Sequence, residues 1–135
     1  MEPNSLMQTA AVLFGMAACG GLLMAGMRLS GIPRPPVWLA MGHGVMAAAG
    51  LTLLAYAAAT VGVPSMAQLA LGLMVTAAIG GAAMNLLFHW KLLPLPIPLM
   101  VAHATLAALG FVLLLVSIYG QKYLATLSPM VMNNA

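Results

Sequence analysis

From Leu6 to Ile118 the chain carries only three charged residues, Arg28, Arg34 and Lys91, and all three fall in short proline-containing breaks. Four long apolar stretches are left, each reaching the roughly 20 residues that a helix needs to cross a hydrocarbon core. Inside a bilayer every backbone N–H and C=O must find its partner within the protein, so stretches of this kind form helices. Composition agrees. Of 135 residues 64% are hydrophobic and 4% charged, too few charges to cover the surface of a soluble domain. The expected fold is all-α: an integral membrane four-helix bundle, a single four-span domain over residues 1–135 in contact with the lipid bilayer.

The spans are read as Leu6 to Met27, Pro36 to Ala59, Met66 to Trp90 and Pro96 to Ile118. Proline-containing segments separate them, and proline prevents a helix from continuing. The first run has no basic region ahead of it and continues well past Met16-Ala17-Ala18-Cys19, so it reads as a span, with Cys19 a small packing residue. Residues 121–135 read as a polar tail. Arg28, Arg34 and Lys91 fall on one side of the membrane and Lys122 on the other. The positive-inside rule then makes the three-residue side cytoplasmic and puts both termini outside, as in a multi-pass protein of a bacterial inner membrane. A net charge of +3 concentrated at membrane edges is no nucleic-acid footprint.

Histidine occurs in two matching contexts. Pro36 precedes His43 by seven residues and Gly50 follows it by seven; Pro96 and Gly110 stand in the same relation to His103. The same offset, applied without gaps, brings Ala17-Ala18 onto Ala77-Ala78, Gly20-Gly21 onto Gly80-Gly81, Met24 onto Met84 and Leu53-Leu54 onto Leu113-Leu114. Alanine and leucine matches come cheaply in such a composition, but the Gly-Gly pair, the proline, the histidine and the following glycine do not. The bundle is therefore expected to consist of two tandem parallel helical-hairpin repeats, about 6–60 and 66–120, related by an axis along the membrane normal. At about 1.5 Å per residue both histidines then lie roughly 10 Å inside the same edge.

An ionisable residue inside a membrane is a functional-site hypothesis by default. Two imidazoles at one depth suit axial ligation of a flat macrocycle, so His43 and His103 are read as metal ligands to one haem b. Such a group needs small residues where it approaches helices. Gly50 and Gly110 on the histidine helices, and Gly20, Gly21, Gly80 and Gly81 on the other two, are the candidates. Arg28, Arg34, Lys91 and His89 are candidates for its carboxylates near the cytoplasmic edge.

In this architecture the chain resembles the four-helix membrane cytochromes b, in which histidines on different helices clamp haem and glycines line it. The resemblance covers the four spans in kind. Those proteins commonly hold two haems with four histidines, whereas this chain has three histidines in all, enough for one complete site. It implies electron transfer, with bis-histidine ligation leaving no open iron position for oxygen chemistry.

Other readings compete. Histidine also serves as polar glue between membrane helices, which would fit a non-catalytic accessory or assembly subunit of a larger membrane complex. A quinone-handling protein, with Asn85 or His89 assisting, is another. Copper is suggested by 13 methionines, including Met130 and Met132, because thioethers suit Cu(I), although most methionines in such a chain pack. Zinc is disfavoured by the absence of acidic residues from the spans. No hydrolase triad, phosphate loop or dinucleotide fingerprint occurs, so a stand-alone enzyme is less expected than an electron-transfer or accessory subunit. Little soluble mass is left for docking, and the partners expected are other membrane subunits or a second copy of the chain.

Overall fold

The computed structural model describes residues 3–132. Glu2 and residues 133–135 of the tail lie outside them. Four helices follow one another: α1 (Pro3–Leu29), α2 (Val37–Thr60), α3 (Ser65–Met84), which runs directly into a π-helical turn (Asn85–His89), and α4 (Ile97–Met132). Four helical stretches are long and apolar enough to cross a membrane, Pro3–Leu29, Val37–Thr60, Ser65–His89 and Ile97–Gly120. No strand occurs among the described residues. Residues 121–132, expected as a tail, continue α4.

The helix ends follow from local chemistry. Gly31, at φ +94°, closes α1 while Ile32 N–H donates to Met27 O at 3.0 Å and Gly31 N–H to Arg28 O at 3.3 Å. This is a Schellman end, with glycine at the position that requires the left-handed region. Pro36 and Pro64 stand immediately before α2 and α3, where a missing N–H costs nothing. The end of α3 repeats the motif of α1 with a difference. Leu93 N–H donates to Phe88 O and Leu92 N–H to His89 O, so Leu92 takes the left-handed position at φ +58°. A π turn, closed by Trp90 N–H to Asn85 O at 3.0 Å, comes immediately before this end.

Helix α1 lies along α2, and α3 along α4; contacts of α1 with α4 and of α2 with α3 are fewer. The main buried cluster sits at the end of the bundle away from the histidines. Met7, Ala10 and Phe14 of α1 meet Leu54 of α2, Ala67, Ala70 and Met74 of α3, and Leu114 and Ile118 of α4. Leu54 and Leu114 are completely buried there. The crossings are tight at two glycines. A Cβ at Gly50 would lie 3.2 Å from both Ala10 O and the Phe14 ring, and one at Gly110 would lie 3.1 Å from Met74 Cγ and 3.2 Å from Ala70 O. Each histidine-bearing helix thus takes both backbone oxygen and a large side chain of its hairpin partner, Phe14 or Met74, against a glycine, the close approach that membrane helices use glycine for.

At the opposite end the loops 30–36 and 90–96 are joined. Arg28 Nε donates to Leu95 O at 2.8 Å, and Leu95 N–H to Pro33 O at 3.3 Å. The two hairpins are tied at one rim by polar bonds and at the other by apolar side chains.

Candidate functional site: a pair of imidazoles between two hairpins

The histidines lie between the joined loops and the apolar cluster. His43, on α2, donates from Nδ1 to Ala17 O of α1 at 2.8 Å. His103, on α4, donates from Nδ1 to Ala77 O of α3, also at 2.8 Å. A carbonyl only accepts, so the proton of each neutral imidazole resides on Nδ1 and the lone pair on Nε2. Both side chains are half-buried. The two ring centroids are 6.1 Å apart with planes inclined at 72°.

Glycine makes those bonds possible. A Cβ at Gly21 would lie 3.1 Å from His43 Cε1 and 3.3 Å from its Nδ1; one at Gly81 would lie 3.1 Å from His103 Cε1 and 3.5 Å from its Nδ1. Each ring therefore lies directly against the backbone of the neighbouring helix, one turn from the carbonyl it binds. The adjacent glycines are less constrained. A Cβ at Gly20 would make ordinary contact with His43 Cβ at 3.6 Å, and one at Gly80 would meet nothing within 4 Å.

The remaining candidates separate into two groups. Gly50 and Gly110, expected beside a cofactor, lie in the helix crossings two turns from the histidines, against Phe14 and Met74. Arg28 belongs to the loop junction, where it binds Leu95 O. Arg34 and Lys91 are exposed at that end, and His89 is half-buried in the π turn together with Asn85. A groove of about 190 Å³ runs beside His43, lined in part by Met16, Gly20, Leu39 and Met46.

Among the described residues no group of three or more imidazole, thiol or carboxylate side chains gathers. A structural zinc site with four protein ligands therefore has no counterpart there. What the site offers instead is two imidazoles side by side, each with Nδ1 engaged by a backbone carbonyl and Nε2 without a hydrogen-bond partner among the described residues. In metal sites the same second-shell carbonyl bond fixes the ring and raises its basicity. Sequence reasoning missed Ala17 and Ala77 as participants. Their contribution is a backbone oxygen, and the only trace in the sequence is the small-residue run that surrounds them. No protein-family model, curated protein or solved structure matches the chain.

Proposed function

We propose that the chain is a membrane electron-transfer protein, or a subunit of an electron-transfer complex, that binds one b-type haem between His43 and His103. The observation that carries this reading is the geometry of the rings, 6.1 Å apart, each with Nδ1 bonded to a backbone carbonyl. A metal–imidazole bond is about 2 Å long, so two rings with centroids 6.1 Å apart are near enough for both to reach one ion. Bound there, the group would supply one-electron exchange. The residues supply the rest. His43 and His103 present Nε2, Ala17 and Ala77 hold the rings, and Arg34, Lys91 and His89 are the cationic and hydrogen-bonding residues available to carboxylates at the loop end.

The groove of about 190 Å³ beside His43 is lined by α1 and α2 alone and lies within the first hairpin, so its volume is not that of the space between the two rings. Both Nδ1 bonds are internal to one hairpin, and neither depends on the contact between hairpins.

The hairpins are, in this reading, two copies of one unit. His43 with Ala17 and Gly21 corresponds to His103 with Ala77 and Gly81, and Gly50 with Ala10 and Phe14 to Gly110 with Ala70 and Met74. The loop end carrying Arg28, Arg34 and Lys91 is cytoplasmic by the positive-inside rule, with both termini outside.

A second reading rests on the same bonds. The Nδ1–carbonyl contacts hold α1 to α2 and α3 to α4 without any ligand, as in a purely structural subunit of a larger complex. A reduced-minus-oxidised visible spectrum of the full chain purified in mild detergent and supplied with haem separates the two. Low-spin bands that vanish in His43→Ala and in His103→Ala are expected. A featureless spectrum in the wild-type protein refutes haem binding and leaves the structural reading.

A further inference from the structure

The two histidines make the same choice of nitrogen, and the choice is imposed from outside the rings. We infer that Gly21 and Gly81 are positioning residues that determine which nitrogen of each histidine bonds to the neighbouring helix and which is left bare. With no Cβ at Gly21, the His43 ring settles against α1 and its Nδ1–H reaches Ala17 O at 2.8 Å; Gly81 does the same for His103 and Ala77 O on α3. An alanine at either position brings a methyl to 3.1 Å from the ring Cε1. The ring must then retreat by a few tenths of an ångström from the helix that holds its acceptor. Ala17 O and Ala77 O belong to continuous helix and cannot follow.

Free neutral imidazole favours the proton on Nε2. Both membrane histidines are held in the opposite tautomer, with Nε2 bare. That nitrogen is the one able to take a metal while Nδ1 stays engaged. Gly80 is the internal contrast, since a methyl there meets nothing within 4 Å. The inference rests on the proposed function for the identity of the ligand but not for the tautomer.

The test is nitrogen-15 NMR of the full chain, labelled at histidine, in detergent at alkaline pH and without haem. His43→Ala and His103→Ala spectra assign the signals. In the wild type both histidines should show a protonated Nδ1 and a bare Nε2. Gly21→Ala should return His43 alone towards the ordinary tautomer mixture, Gly81→Ala should do so for His103 alone, and Gly80→Ala should change neither. On haem titration the first two variants should bind roughly 10–100-fold more weakly, the usual cost of losing a second-shell partner. A wild-type spectrum with the proton on Nε2 of both rings overturns the inference, whether or not haem binds. So does a Gly21→Ala spectrum identical to wild type. The expected tautomers in a protein that takes up no haem would refute the proposed function and leave the inference standing.

Discussion

Removing His43 and His103 singly and together distinguishes a shared ligand from two structural hydrogen bonds, and the structure sets the scale of each. Without a ligand, each imidazole holds one interhelical bond. Such bonds average about 0.6 kcal/mol in a membrane and reach about 1.7. The carbonyls of Ala17 and Ala77 lie within continuous helix, where each keeps its own helical amide partner, so deletion orphans no acceptor. The two bonds belong to different hairpins and their losses should add. The ring-to-ring contact is the one shared element, and an edge-on aromatic pair contributes about 0.5–1.5 kcal/mol. Coupling between the two mutations in ligand-free protein should therefore stay within about 1.5 kcal/mol. A ligand held by both rings changes the arithmetic. At a free concentration 1,000 times its Kd it stabilises the fold by about 4.1 kcal/mol, and either mutation alone loses all of it. The double mutant has nothing further to lose, so the coupling rises by about 4 kcal/mol on adding haem. Reversible unfolding in mixed micelles of wild type, both single mutants and the double mutant, with and without haem, measures this directly. Equal coupling in the two conditions would refute a shared site.

The remaining expectations concern the frame around the pair. At Gly50 and Gly110 an added methyl meets backbone oxygen at 3.2 Å; Gly50→Ala and Gly110→Ala should destabilise, since overpacking of about 1–3 kcal/mol exceeds a helix-propensity gain of up to about 1 kcal/mol. Gly72→Ala, with open space around it, should be neutral or stabilising in the same unfolding assay; equal losses at all three positions would refute the crossing contacts. Arg28→Gln removes the charged donor to Leu95 O, a bond of about 1.5–3 kcal/mol where charge assists it, and should speed tryptic cleavage after Lys91; an unchanged cleavage rate counts against the loop junction. A reporter fused at the C-terminus should be active outside the cytoplasm, and a cytoplasmic signal overturns the orientation.

Much of the scaffold was legible in the sequence because a bilayer leaves the backbone few options. The absence of charge between Leu6 and Met27, or between Pro96 and Ile118, suffices to make a helix, and the prolines at 36 and 64 locate the starts of α2 and α3. The spacing of His43 and His103 also carried to the structure, where their rings are neighbours. The glycines were harder to read. Gly21 and Gly50 look alike as small residues, yet one admits an imidazole and the other a neighbouring helix, and only the crossing geometry separates those uses. The π turn at Asn85–His89 and the left-handed Leu92 were invisible. Leu92 is not a residue type that favours the left-handed region, and nothing in the run Asn85 to His89 announces a π turn. The extension of α4 beyond Gly120 was missed because polar composition alone does not stop a helix that has already started.

Each imidazole bond joins residues 26 apart, within one hairpin and on its two adjacent helices. That closeness bears on how the chain enters the membrane. Ala17 is synthesised before His43, and Ala77 before His103, so each histidine emerges with its acceptor already present. The first hairpin can leave the translocon with its half-buried imidazole already bonded, before any of the second exists. The second can follow by the same route. Neither half has to wait in lipid with an exposed imidazole N–H for the other to arrive. Docking of the two finished hairpins is then left to Leu54, Leu114 and their apolar neighbours, and to the bond from Arg28 at the rim.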